Sequence, residues 1–320
     1  MTGSSSNFKQ NRLKQLRAFI HTAQTGSISK AAERLYLSQP SISLQIKALE
    51  EELGTTLFER RGPKIQITPA GKILLDLTQP LVEGMDTLPE VFASQLGEVD
   101  TGTLDIAAGE STILYILPQF VDAFCKAYPS IQVRLHNVTG RDGMSMLKAD
   151  EVDFAVGSML EPVEDINYYP IFSYDPVLIT PPDHPLAQRE SVSLHDISPY
   201  GLILPPRHLS TWRMVKLVFQ QHNADYKIAL EAGGWEVIKK YVELGMGVSI
   251  VTDICLNESD KVARIPLNRY FPKRSYGVVM RRGKFISPQA RRFLEILHAD
   301  LGDKIDPLSP NTKQSELSPW

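Results

Sequence analysis

The chain has 320 residues, 42% of them hydrophobic, and 34 basic against 37 acidic side chains give a net charge of −3, which leaves room for a small head plus a second unit of about 200 residues. No apolar run reaches the length of a membrane helix and the opening MTGSSSNFKQ lacks the apolar core of a signal peptide, so a membrane partner is excluded and the cytoplasm is expected. Residues 1–70 carry 10 Lys and Arg against 5 Asp and Glu, while the remainder carries 24 against 32, so a basic end suited to nucleic acid precedes an acidic body that nucleic acid would repel.

Ser27 to Gly54, SISKAAERLYLSQPSISLQIKALEEELG, has the punctuation of two short helices joined by a tight turn. The first is predicted to open at Ser29 and to bury Ala31, Ala32 and Leu35, small residues that let two helices approach. The second opens at Ser38 with Pro40 in its first turn, where a missing N–H costs nothing, and stops at Gly54. Ile42, Ile46, Leu49 and Leu53 recur at helical spacing and form its buried stripe. The opposite face carries Pro40, Ser43, Leu44 and Lys47, with Gln39 on its shoulder and Ser41 beside it. Such a face suits a major groove: Gln can bridge an adenine, Ser can meet either edge, Lys can reach guanine or phosphate. A plain helical hairpin in a globular core is the alternative.

After Gly54, LFERRGPKIQIT reads as a short hairpin with Arg60, Arg61 and Lys64 around a Gly-Pro turn and Thr68 capping the next helix. Basic ribbon tips of this kind touch sugar-phosphate or enter the minor groove; the alternative for the three side chains is a solvated charge cluster.

Residues 13 to 300 resemble a LysR-type bacterial transcriptional regulator. The resemblance rests on Phe19, Gly26, Ser27, Ala31, Ala32, Leu35, Ser38, Gln39, Pro40, Ser43, Ile46, Leu49, Glu50, Leu53, Gly54, Leu57, Phe58, Arg60, Thr68, Ala70 and Gly71. It implies an α+β multidomain chain: a winged helix-turn-helix over 11–68, a linker and dimerisation helix over 69–97, and a two-lobed, periplasmic-binding-protein-like α/β effector domain over 103–301. It also implies operator contacts by Gln39, Pro40, Ser43 and the wing arginine, and a homodimer, or a pair of dimers, that acts on RNA polymerase. Leu44 departs from the family, where a basic or polar residue is common at that position, and would meet a thymine methyl.

In the linker Leu74, Leu77, Leu81, Met85, Leu88 and Phe92 fall three or four apart, a seam suited to a partner helix. Pro80 and Pro89 lie inside the run and predict a kinked or interrupted helix. The alternative is an intramolecular core helix.

From Thr103 the pattern alternates: LDIAA, IQVRL, DFAVG, PVLIT, GLILP, YKIALE, VSIVT and YGVVM as strands, with helices over 117–128, 211–222 and 236–244. Lobe I is predicted over 103–171 and 276–301 and lobe II over 172–275, with the two crossovers as hinge. In such sheets ligands sit beyond the carboxyl ends of strands, where helix N-termini offer amides. Candidate effector contacts are therefore Glu110, Ser111 and Thr112 after LDIAA, His208, Ser210 and Thr211 after GLILP, Gly247 and Val248 before VSIVT, and Ser158 and Met159 after DFAVG; ordinary capping is the alternative for each hydroxyl. GESTILYILP lacks the Thr-rich, Arg-containing loop of the family's sulfur-regulating branch, so the small-molecule effector is left unnamed.

Cys125, in FVDAFCKAY, is expected on the buried side of a helix and Cys255 in packing after a strand, with no metal-like spacing. His184, His195 and His208 need only solvating or capping roles. No nucleophile elbow, zinc-protease motif or phosphate loop is present, so neither an enzyme nor a resident cofactor is expected. A transport solute-binding protein would fit the two-lobed part but not the basic head. The ends, 2–8 and 302–320, read as flexible tails.

Overall fold

In the computed structural model the described residues are 5–61, 64–95, 101–301 and 305. They form two compact units, one of the described residues within 1–102, 148–151 and 281–305, the other of residues 103–147 and 152–280.

The first unit begins with α1 (Ser5–Thr25), α2 (Ile28–Arg34) and α3 (Gln39–Leu53), followed by the hairpin β1 (Phe58–Arg61) and β2 (Lys64–Ile67) and the helices α4 (Pro69–Asp86) and α5 (Leu88–Gln95). Phe19, Ala31, Ala32, Ile42, Ile46, Leu49 and Leu57 fill its core, with Leu35 packed against them. Three details differ from the sequence expectation. Ser27, not Ser29, caps α2: it has the extended backbone a cap needs (φ −154°, ψ 124°) and accepts from Lys30 N, while Ser29 lies inside the helix. Leu53, in the last turn of α3, is 43% exposed rather than buried. Leu74 packs on the head core, and the solvent-facing stripe of α4 runs instead through Ile73, Leu77, Leu81 and Met85. The predicted interruption falls at Thr87, which ends α4 one residue before α5, with Pro89 in the first turn of α5 and Pro80 accommodated within α4.

A half-buried ionic cluster ties several segments of this unit together. Arg281 pairs with Glu83 and, at 3.2 Å, with Asp150, and Lys284 reaches Asp150 at 3.1 Å. Gln79 donates to Glu83 at 2.9 Å, Gln24 donates to Asp150 at 2.9 Å, and Phe285 N donates to the other Glu83 oxygen at 3.1 Å. The Glu83 carboxyl also hydrogen-bonds Asp150. Burial, followed by the neighbouring Asp150 charge, pushes it up to about 7. Asp150 is held below its ordinary range, because Lys284 and Arg281 outweigh its burial.

The second unit contains β3 (Gly102–Ala108), a π-helical turn Thr112–Ile116, α6 (Pro118–Ala127), β4 (Ile131–Asn137), α7 (Gly140–Lys148), β5 (Phe154–Gly157), β6 (Ile166–Tyr174), β7 (Pro176–Thr180) and α8 (Leu194–Ile197). It continues with β8 (Gly201–Leu204), α9 (Ser210–Gln221), β9 (Lys227–Glu231), α10 (Trp235–Glu243), β10 (Ser249–Thr252), a 3-10 turn Asp253–Cys255, β11 (Ala263–Pro266) and β12 (Arg274–Arg281). The last helix, α11 (Pro288–Leu297), groups with the first unit.

One five-stranded sheet has the order β4-β3-β5-β12-β6, with β3 parallel and β12 antiparallel to β5. The other lobe has a three-stranded sheet β10-β7-β11 and a parallel pair β8-β9, which a bridge between Leu202 and Val248 connects. Each lobe has its own packing, Leu147, Val152 and Val279 in the first, and Leu178, Trp212, Phe219 and Ile250 in the second. The chain crosses between lobes from β6 into β7 and from β11 into β12. Pro170 sits within β6, which lies at the sheet edge, where a missing donor is tolerated. At Gly277 the β12 backbone passes so close to β6 that an added Cβ would stand 1.9 Å from the Tyr169 carbonyl oxygen.

Cys125 is exposed, contrary to expectation, since its neighbour Phe124 takes the buried side of α6. Cys255 is buried, and burial pushes its thiol up to about 11, the behaviour of a packing residue. Among the described residues no helix is long and apolar enough to cross a membrane.

Candidate DNA-reading face and effector cavity

Local chemistry sets the position of α3. Ser38 has extended backbone and its hydroxyl accepts from Ser41 N at 3.4 Å; Gly54 closes the helix in the left-handed region at φ +65°. Burying Ile42, Ile46 and Leu49 turns Gln39, Pro40, Ser43, Leu44 and Lys47 outward, all of them exposed. Leu44, a large apolar side chain, is 66% exposed, which an intramolecular packing role does not explain. Ser41 is half-buried and its hydroxyl bonds that of Ser38 at 2.9 Å, so it belongs to the cap as well as to the face. Lys47 lies 3.7 Å from Glu51 one turn on, an exposed pair that contributes little. Glu50 holds the hairpin in place, since one of its carboxylate oxygens accepts from Leu57 N at 2.7 Å and Phe58 N at 3.2 Å and so fixes the base of the ribbon against α3.

Arg60 and Arg61 take register positions opposite Ile65 and Lys64 at the far end of the hairpin. The side chains of Arg60, Arg61 and Lys64, the Gly62-Pro63 tip, and the tail apart from residue 305 lie outside the described residues. Sequence reasoning overlooked Tyr36 in the turn before α3. Its φ is +53° and it is 95% exposed, an energetically awkward pose for an aromatic residue that points to a role at the surface.

The second unit contains a cavity of about 290 Å³. Four sequence-predicted residues line it, Ser158, Met159, Ser210 and Thr211, together with Leu160, Met214, Trp235, Ile250, Phe271, Lys273 and Arg274. Arg274 donates to Thr211 Oγ1 at 2.5 Å and to Ser210 Oγ, and its Nε is buried without a partner. Arg274 is the polar centre of the cavity and was absent from the sequence expectation. It lies two residues before the predicted YGVVM strand, at the start of β12.

The remaining candidates lie elsewhere. Gly247 packs against β8, where an added Cβ would stand 2.5 Å from the Gly201 carbonyl, and Val248 is fully buried with its N–H on Gly201 O. Both are sheet-packing positions rather than cavity walls. Thr112 is buried in the π-helical turn, Ser111 hydrogen-bonds Tyr276, and His208 is exposed. Glu110 lies against Gly234 at the start of α10, whose φ is +80° and where an added Cβ would stand 3.0 Å from the carboxylate. Close by, Tyr115 donates to Glu236, and Lys239, buried beside the Tyr115 ring, holds Glu236 at 2.9 Å and Asp260 at 3.0 Å. Burial alone would lower the Lys239 ammonium, but those two carboxylates outweigh it and raise it, so the cation persists inside.

Residues 13–72 match the family described as bacterial regulatory helix-turn-helix protein, lysR family, and residues 97–302 match the LysR substrate binding domain. The HTH-type transcriptional regulator CysB of Burkholderia cenocepacia is 30% identical over 286 residues, 88% of this chain and 91% of that protein. Full-length CbnR in complex with its target DNA is 26% identical, with a TM-score of 0.54 over 91% of this chain and 99% of that one. A full-length OxyR variant from Pseudomonas aeruginosa has a TM-score of 0.63 over 90% of this chain and 94% of its own, at 22% identity, a likeness of fold.

Proposed function

Because this chain belongs to the LysR family of bacterial transcriptional regulators, we propose that the outward face of α3 reads a two-fold operator while the cavity of the second unit senses a small molecule. The observation that carries this is the exposure of Gln39, Pro40, Ser43, Leu44 and Lys47 on a helix whose other side is fixed in a core. Gln39 and Ser43 supply hydrogen bonds to base edges, Ser41 and Lys47 flank them, and Leu44 meets a thymine methyl. Arg60, Arg61 and Lys64, with Tyr36, hold phosphates and set register.

A second copy covers Ile73, Leu77, Leu81 and Met85 of α4 and Leu88 and Phe92 of α5, which gives the two-fold symmetry that an operator needs. Effector binding shifts the population of lobe arrangements and thereby the spacing of the two heads. RNA polymerase is the downstream partner and the cytoplasm the site of action; a target DNA bound to full-length CbnR supports the DNA assignment.

The test is fluorescence anisotropy against a duplex selected from a random library, compared with scrambled competitor. Gln39→Ala should lower the ratio of specific to nonspecific affinity by about tenfold while nonspecific binding persists. An unchanged ratio removes Gln39 from base reading.

A further inference from the structure

The cavity is chemically lopsided. Arg274 brings a permanent positive charge, and its Nη atoms are used on the neutral hydroxyls of Thr211 and Ser210. No ion pair compensates it among the described residues, and its buried Nε has no acceptor. The other basic group of the lining, Lys273, is neutralised by Asp175 at 3.2 Å. Ser210 and Thr211 also open α9, a 12-residue helix whose N-cap, Leu209, offers no side-chain acceptor, so its first amides add to the same positive field. An unmatched buried donor carries its full desolvation cost until an acceptor arrives.

Beyond that polar end the wall is apolar, formed by Met159, Leu160, Met214, Trp235, Ile250 and Phe271. A bare inorganic ion would satisfy Arg274 but leave those surfaces against water, whereas a neutral apolar molecule would fill the wall and leave the guanidinium unpaired.

We propose that the effector is a small organic monoanion, a carboxylate or sulfonate on an apolar body the size of one ring. Its head sits on Arg274, Ser210 and Thr211, and its body lies against Met159, Met214, Trp235 and Phe271. This rests on the cavity being the sensing site.

The full-length protein is titrated by calorimetry with benzoate, benzenesulfonate, benzamide and sodium sulfate, and each addition is repeated with anisotropy on the library-selected duplex. At least one of the two aromatic anions should bind about tenfold tighter than both benzamide and sulfate, and Arg274→Met should erase that margin. Arg274→Lys, which keeps the charge but not the fork, should retain part of it and shows that loss in the first variant is not misfolding.

Benzamide equal to benzoate overturns the anionic head; sulfate equal to benzenesulfonate overturns the apolar body; no binding of any probe at millimolar concentration overturns both. An Arg274-dependent aromatic anion that leaves duplex affinity unchanged upholds the ligand class while refuting the cavity as the sensing site. A change in duplex affinity caused only by benzamide or sulfate does the reverse.

Discussion

Glu83→Gln should gain stability relative to the natural chain as pH rises from about 4.5 to 7, removing much of a pH dependence in that window. Burial and the Asp150 charge raise the folded-state pKa of Glu83 from 4.5 to about 7. Across that window the folded chain holds a proton that the unfolded chain has released, so stability falls as pH rises. The stabilisation is fully present below the unfolded value of 4.5 and is gone once pH passes the folded value near 7. The full difference corresponds to about 3 kcal/mol. Gln keeps one oxygen for Phe285 N and offers an amide N–H to Asp150 at every pH, and its lost acceptor for Gln79 and Arg281 is a pH-independent offset, so the difference between variant and natural chain follows the protonation of Glu83.

Asp150 works in the other direction, contributing stability that is lost as pH falls through its depressed value, below this window. His21 and His184, both lowered first by burial, favour the folded chain as pH rises toward 6.5. The useful quantity is therefore the variant minus the natural chain. Urea denaturation followed by far-ultraviolet circular dichroism at several pH values measures it. A difference that does not grow as pH rises from about 4.5 to 7 refutes the assignment of the proton to Glu83.

Two further substitutions test the frame. Gly277→Ala forces a methyl into the Tyr169 carbonyl at the β12–β6 contact and should cost on the order of 3 kcal/mol, whereas Gly157→Ala, with open space at its Cβ, should be near neutral; equal thermal midpoints would contradict the packing. Leu81→Glu should convert the proposed dimer to monomers in sedimentation without loss of helical signal, because Leu81 is 66% exposed within one chain; an unchanged mass rules out the α4 stripe as the interface.

The head was legible because its punctuation is local. Ser38, Pro40 and Gly54 act within one turn of themselves, so their roles can be read without knowing the fold. The same locality produced the two-residue ambiguity at α2, where Ser27 and Ser29 are both competent caps and only the backbone decides. Periodicity could not separate Ile73 from Leu74, which point to adjacent faces; packing against the head core assigns Leu74 inward. Strands β6 and β11 were hidden by Pro170 and by shortness. Arg274 was invisible for a different reason: it meets Ser210 and Thr211 across more than 60 residues of chain, and nothing in a strand's alternation marks which charged end will turn inward.

In the proposed dimer, the side of α4 left exposed among the described residues makes copy number a control input. Five residues on that helix and its continuation, Leu77, Leu81, Met85, Leu88 and Phe92, are each more than half exposed in a single chain. In that dimer a second copy covers them, so folding strength and operator occupancy would both scale with how many copies the cell maintains. Halving expression would then weaken the switch twice over, through fewer complete clamps and through a less durable fold in those left single.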